Sequence, residues 1–473
     1  MKKWHIPLKK VGSMPLAADP RLTDIFPEKD YIWSITSQHV EPRALTLLTR
    51  YGLQVLSFQL FPEFIRGGIV KRDPDSFFSA PHIQTFTTNI LTVTYAPWEG
   101  VGVRSRYWIP TSSAAAGEIE FTNSSQIQQE IQFRLASVLK FKQDGQQMHA
   151  QKQQNRTVLG GKSGDSYPLL FLSGGARADD APFPCLSTTL SLPPGESKVL
   201  QWILTSENSQ QDAFQSAMNL LDRNWRNDYA QSFALWQAAV QISTGDPDWD
   251  LGLALSRRVA LGALSGKDEQ ERYQFSNARL DVDRPRLKIK GKVFDRPTPS
   301  LSPLQAYYLA DTLSPLDPQI LDSLLACWLK DSSQESIKPH VPYHPAPFLA
   351  QIAGKHANQG QLSTWLPALQ AYLAEWFSPD QDRDQDGAPE WAWQDQLACP
   401  AHPAHYTSPD WFQHPRIKTM ESPALCSLLM NEIDHYLNMC TAQDRTAGMD
   451  IEDFEDKKST LAGHIQRAWN EEL

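Results

Sequence analysis

Residues 199–225 read VLQWILTSENSQQDAFQSAMNLLDRNW, and the hydrophobic period changes inside this stretch. Val199 to Leu204 completes a run of strands, whereas from about residue 210 the apolar residues return at the three-to-four spacing of a helix. Upstream, from about residue 30 to 205, period two dominates. Leu56, Phe58 and Leu60 alternate with Ser57 and Gln59, and Leu91, Val93 and Tyr95 alternate with Thr92 and Thr94. These predict half-buried strands, followed by others at 101–109, 119–121, 131–135 and 186–192. Strands in such succession, with no helical pattern between them, imply an antiparallel β-sandwich over residues 1–208. One face of such a sheet offers room for a ligand groove; the plainer reading is a structural or docking domain.

Downstream of the switch, segments 211–225 and 229–240 predict a helical linker spanning 209–247. Every later apolar stretch is helical, with helices expected at 249–264, 303–312, 318–330, 347–356, 364–377, 422–440 and 456–472. The clearest stripes are Leu362, Trp365, Leu366, Leu369, Tyr372, Leu373, Trp376 and Leu425, Leu428, Leu429, Ile433, Tyr436, Leu437, Cys440. Ser302-Pro303 with Gln305, and Ser422-Pro423, mark helix starts. Connections of about 38, 16 and 44 residues alternate with short ones of about 5 to 7. In antiparallel helical hairpins alternate connections fall at one end, so the long ones gather there. The fold class expected is therefore multidomain β plus α, an N-terminal antiparallel β-sandwich followed by a helical toroid over 248–473 with a loop-built site. The same end holds helix N-termini, which favour polar or anionic ligands.

The chain is 473 residues long, enough for two domains with their own cores. Apolar residues make up 41% and no run approaches the ~18 apolar residues of a membrane helix, which predicts a soluble, globular protein with no membrane partner. The net charge of −10 is unevenly spread: residues 1–245 carry 23 basic and 21 acidic side chains, the remainder 21 and 33. Neither part is a nucleic-acid surface. No apolar export segment follows the opening lysines, and five cysteines form no CxxC pair, so a reducing cytoplasm is expected.

The densest chemical signal is DQDRDQDGAPEWAW, Asp380 to Trp393. Asp382, Asp384 and Asp386 followed by Gly387 reproduce the opening of a calcium loop, in which alternate carboxylates turn toward a hard cation and glycine permits the bend. The twelfth position is Trp393 instead of a bidentate glutamate, with Glu390 at the ninth as a substitute. The other reading is a solvated acidic turn whose aspartates bond the local backbone. Glu390, Trp391, Trp393, Asp395, Asp410 and Trp411 follow before Glu421. Carboxylates beside indoles suit carbohydrate chemistry, acids for the glycosidic bond and flat rings for sugar faces; packing in a core is the equal alternative for the tryptophans. The histidines lack zinc-site spacing, and no GxSxG, Walker loop or strand-borne GxGxxG is present.

The order sandwich, helical linker, toroid, together with SPLQAYYLA (302–310), EWFSPDQDRDQDGAPEW (375–391) and MESPALCSLLMNEID (420–434), resembles bacterial six-hairpin glycosidases. The relatives are glycoside hydrolase family 63 and the mannosylglycerate-hydrolase-like and glycogen-debranching-like proteins. The resemblance covers nearly the whole chain and implies an (α/α)6 barrel that hydrolyses α-glycosidic bonds with inversion, an aspartic acid being the proton donor and a glutamate the base. Two departures stand out. Where relatives place the donor aspartate in a Gly-x-Asp/Glu-Asp-Asn/Ser-Pro-like element, this chain has Leu397-Ala398-Cys399-Pro400-Ala401-His402-Pro403. Asp395 is the nearest carboxylate for the acid role, with Asp410 behind it. A full barrel takes six hairpins, yet 248–473 supplies about seven helices, so the toroid is partial and the half that carries the relatives' base is missing.

The resulting expectation is a glycoside-hydrolase-like protein acting on an α-linked oligosaccharide or glucoside, completed by a C-terminal complementing polypeptide or by a homodimer. Glu390, Trp391, Trp393 and Glu421 would contact the sugar, and calcium would sit at Asp382, Asp384 and Asp386. A non-catalytic carbohydrate-binding or interaction protein derived from such an enzyme is the alternative, and a structural remnant that binds no sugar is the third.

Overall fold

A computed structural model of the chain describes residues 2–26, 29–38, 40–142, 144–179, 182–238, 242–275, 279, 288–289, 292–293, 303–329, 347–391, 422–443 and 450–469. The chain divides into two compact units, Met1–Lys267 with Ala278–Asp295, and Asp268–Asn277 with Arg296–Leu473.

In the first unit, described strands between Ile6 and Glu207 form two antiparallel sheets of nine and eight strands. The larger has the order Ile6–Pro7, Ser79–Phe86, Ile90–Trp98, Val101–Thr111, Ala114–Asn123, Ser197–Glu207, Tyr167–Leu172, Arg156–Ser163, Gly145–Gln153. Gln129–Phe141 and Val55–Arg66 run side by side in the smaller sheet, with Phe133 opposite Phe64. Phe64 meets Phe77, Tyr95, Phe121 and Phe133 at centroid distances of 5.7–6.1 Å, mostly edge-on. Because Tyr95 and Phe121 belong to the larger sheet and Phe64 and Phe133 to the smaller, this cluster is the seam of the sandwich.

The alternation Leu56, Phe58, Leu60 holds for Phe58 and Leu60, which are buried, but Leu56 is 57% exposed. The ladder slips between Lys140 and Phe141, pairing Ser57 with Lys140 and Val55 with Phe141, so Leu56 is the extra residue of a bulge and points away. The expectation of half-buried strands also fails at Gln59 and Thr92, both buried, and Glu63 farther along the strand of Gln59 is buried too, so both faces of these strands are covered there.

The helices are α1 (Leu8–Val11), α2 (Gln210–Leu221), α3 (Trp225–Ala238), α4 (Pro247–Gly262), α5 (Pro303–Leu313), α6 (Pro318–Trp328), α7 (Leu349–His356), α8 (Gln359–Trp376), α9 (Pro423–Ala442) and α10 (Ile451–Ala468). Ser209 starts α2 by accepting the Asp212 N–H. The helix pair in 209–247 is packed onto the larger sheet: Phe214, Leu220, Trp225 and Tyr229 share a cluster with Trp108, Val158, Leu169, Phe171 and Ile203. Trp108 lies edge-on to both Trp225 and Tyr229, at 5.4 and 5.3 Å, and Trp225 Nε1 donates to Leu220 O at 2.7 Å, so its polar handle is satisfied within the apolar site.

In the second unit α5 packs on α6 and α7, α7 on α8 and α9, and α9 on α8 and α10. The first helix of each hairpin thus touches the first helix of the next, which is how an (α/α) toroid is strung. Aspartate caps α6 through Asp317 and serine caps α9 through Ser422; Asn358 and Gln361 form a complete capping box on α8. The Leu362–Trp376 stripe is buried throughout, whereas in the α9 stripe Leu428 and Leu437 are only half-buried. The long connections expected at one end fall largely outside the described residues. Among the described residues, Cys185, Cys426 and Cys440 are buried, and no helix is long and apolar enough to cross a membrane.

Candidate functional site

The segment that follows α8 begins with a tightly bonded turn. Asp382 accepts the Asp386 N–H at 3.1 Å on one carboxylate oxygen and the Gly387 N–H at 3.0 Å on the other. Asp386 Oδ1 accepts the Ala388 N–H at 2.9 Å. Gly387 has φ +88, a left-handed conformation that favours glycine, and a Cβ there would stand 2.7 Å from Thr460 Cγ2. Glu390 closes the turn: its Oε2 accepts the Arg383 N–H at 3.2 Å and its own N–H donates to Gln381 O at 2.9 Å. Asp382 and Glu390 are 6% and 5% exposed. Their carboxylates therefore organise the backbone of the turn.

Asp382, Asp384 and Asp386 each present one oxygen within 4.8 Å of the others. All the donors are hard carboxylate oxygens, and an oxygen that accepts one N–H keeps a second lone pair, so the set suits calcium in chemistry, while three oxygens are fewer than the roughly 6–8 that calcium takes. His464 from α10 faces the same turn, with Nε2 3.4 Å from Asp386 Oδ2.

Trp391 is 3% exposed and its ring lies edge-on to Trp376 at 6.4 Å. Trp391 Nε1 is buried without a hydrogen-bond partner among the described residues. Of the two readings of the sequence, this position matches core packing: the indole docks the turn on the C-terminal end of α8. The Tyr372 hydroxyl, one turn before Trp376 in α8, reaches Glu432 Oε2 at 3.2 Å. Trp391, Trp376, Tyr372 and Glu432 thus form a continuous buried path from the Pro-Glu-Trp turn to the middle of α9.

Glu432 is fully buried. Its two oxygens accept the N–H groups of Ala350 at 2.7 Å and Gln351 at 2.8 Å, in the first turn of α7. α7 has no side-chain cap of its own, so a neighbouring helix supplies one. Burial pushes the carboxyl of Glu432 up to about 7, against the pull of the backbone N–H groups and the Tyr372 hydroxyl. The Tyr372 hydroxyl is raised well above its usual range by burial and by the adjacent Glu432.

The sequence reading missed Glu432 as a structural centre, although a signal was present. Leu425, Leu429 and Tyr436 share a helix face with residue 432, so a glutamate interrupts an apolar stripe. The structure brings together Asp382, Asp384, Asp386, Glu390 and Trp391. Trp393, Asp395, Asp410 and Glu421 lie outside the described residues.

No protein-family model matches the chain, and no curated protein sequence matches it. Solved structures do. A protein assigned as a kojibiose phosphorylase from human microbiome matches over 97% of this chain and 64% of its own, with TM-score 0.44 and 9% identity. A bacterial glucoamylase complexed with acarbose matches over 98% of this chain and 67% of its own, with TM-score 0.47 and 8% identity. A protein assigned as an aldose 1-epimerase from Escherichia coli K12 matches 41% of this chain and 99% of its own, with TM-score 0.27 and 12% identity. The chain spans under two thirds of the length of the first of these.

Proposed function

We propose that the chain is a glycoside-hydrolase-like protein acting on an α-linked oligosaccharide or glucoside, with its site at the end of the helical unit where the Pro-Glu-Trp turn enters. The observation that carries this reading is the turn itself. Within the stretch 375–391 that resembles six-hairpin glycosidases, Asp382 and Glu390 bond the turn to itself, Trp391 packs on Trp376 of α8, and Gly387 lies close against Thr460 of α10. Such a fixed platform is what a positioned acid requires, since an inverting hydrolase must hold its two carboxyl groups roughly 6.5–9.5 Å apart.

On this reading Asp395, with Asp410 as the fallback, donates the proton to the leaving oxygen. Glu390 and Trp391 position the strand of chain that carries it, and Trp393 and Glu421 contact the sugar. The base comes from a complementing polypeptide or from a second copy. Calcium at Asp382, Asp384 and Asp386 would stiffen the platform and would take no part in the chemistry.

The test is reducing-sugar release from a panel of α-linked disaccharides and oligosaccharides, with Asp395→Asn and Asp410→Asn as controls. Release that Asp395→Asn or Asp410→Asn removes supports the reading, and release that neither substitution changes rejects the acid assignment. Saccharide binding without release at any protein concentration rejects a base supplied by a second copy and favours the second reading, a carbohydrate-binding protein derived from a glycosidase. The absence of the expected donor element at 397–403 is the observation that favours that second reading.

A further inference from the structure

The first unit carries a cleft of about 650 Å3 between the strand Gly145–Gln153 and helix α2. That strand ends the nine-stranded sheet. Gln151 pairs with Val158 and His149 with Gly160 across the ladder, so Gln151 and His149 stand on the same face as Val158, which packs beneath α2 and α3. The cleft therefore opens where the helical cover of this face stops. Gly160 lets the Gln151 amide lie over it, because a Cβ at this position would stand 2.6 Å from that amide.

The chemistry of the walls is unusual. Six of the nine lining residues are glutamines, supplied by both sides: Gln151, Gln153 and Gln154 from the strand and its turn, Gln210, Gln211 and Gln215 from α2. The apolar contribution is Phe214, which is 4% exposed and belongs to the core below. Gln151 Oε1 is buried and has no hydrogen-bond partner among the described residues, while Nε2 of the same amide lies 2.9 Å from His149 Nε2. A buried carbonyl of this kind calls for a donor from water or from a ligand.

Each carboxamide offers both donors and an acceptor and carries no charge. A wall of them matches a ligand that is neutral and rich in hydroxyl groups, which likewise donate and accept. An anion would find Lys152 and His149 among uncharged amides, and an apolar peptide would find no exposed anchor. We infer that this cleft is a saccharide-binding site for a neutral oligosaccharide, separate from the turn on the helical unit. It stands on the first unit alone and does not depend on the proposed hydrolytic function.

The experiment is calorimetric titration of the full chain with maltoheptaose, isomaltoheptaose and cellohexaose. One or more of the three binds, and raising NaCl from about 50 to about 500 mM leaves the affinity unchanged, as expected for an uncharged ligand. The Gln151→Ala/Gln215→Ala double variant and Gly160→Val, which displaces the Gln151 amide, each weaken binding by about tenfold or more. Absence of binding to all three sugars overturns the inference. So does affinity that survives in the double variant, or that falls with salt.

Discussion

Glu432 in the middle of α9 accepts the backbone N–H of Ala350 at 2.7 Å in the first turn of α7, and so one helix caps another with a buried carboxylate. Removal of that acceptor leaves the N–H groups of Ala350 and Gln351 and the hydroxyl of Tyr372 buried together without it. Glu432→Ala is expected to lower stability by about 3 kcal/mol, since each orphaned buried donor costs about 1–3 kcal/mol. Tyr372→Phe removes one donor and leaves the cap, and should cost about 1 kcal/mol. Urea unfolding of both variants checks the order, and equal losses would contradict it.

The same carboxyl predicts a pH dependence. An unfolded glutamate titrates near 4.5, whereas burial holds Glu432 at about 7. Between these values the folded protein retains a proton that the unfolded chain has released. The contribution of this group is therefore fully present below about 4.5, declines as pH rises to about 7, and is constant above that. Wild type minus Glu432→Gln should show a stability difference that falls by up to about 1.4 kcal/mol per pH unit across this window. Parallel curves from pH 5 to 7 would contradict it.

The turn at Asp382 offers a third test. Gly387→Ala forces a side chain into a left-handed backbone and against Thr460, and Asp382→Ala removes the acceptor of two N–H groups. Each should lower stability by about 1–3 kcal/mol. If calcium occupies the three aspartates, terbium luminescence titrated by calcium will appear in wild type and vanish in Asp384→Asn. Asp384 is exposed, so that substitution should leave the apo stability within about 0.5 kcal/mol.

The helices that follow the sandwich are expected to unfold with it. Trp225 is 4% exposed and wedged between Leu220 O and the rings of Trp108 and Tyr229. Trp225→Ala should destabilise the first unit by about 3–5 kcal/mol. Hydrogen exchange would then rise across both α2 and the strand Val101–Thr111; a rise confined to α2 and α3 would make them a detached linker.

The change of period near residue 210 separated strands from helices because each class buries one face, and that face repeats in sequence. Leu362 to Trp376 was legible for the same reason: one side of α8 is solidly apolar. Leu56 was misread because a bulge adds one residue without altering the local alternation. Gln59 and Thr92 were misread because what covers the outer face of a sheet comes from elsewhere in the chain. At the candidate site the acidic turn was visible as a pattern, but its bonds were not. Whether Asp382 turns toward a cation or toward its own amides depends on backbone angles such as φ +88 at Gly387. Glu432 was least legible, since its partners lie on another helix and are main-chain groups with no sequence signature.

The most direct measurement of the central claim is real-time proton NMR of the anomeric signals of an α-linked gluco-oligosaccharide mixed with the full chain. The account predicts that the α-glycosidic signal decays, that β-configured product appears before mutarotation, and that Asp395→Asn or its fallback Asp410→Asn abolishes both. An unchanged spectrum at every protein concentration would contradict a base supplied by a second copy, and decay that neither substitution slows would contradict the acid assignment.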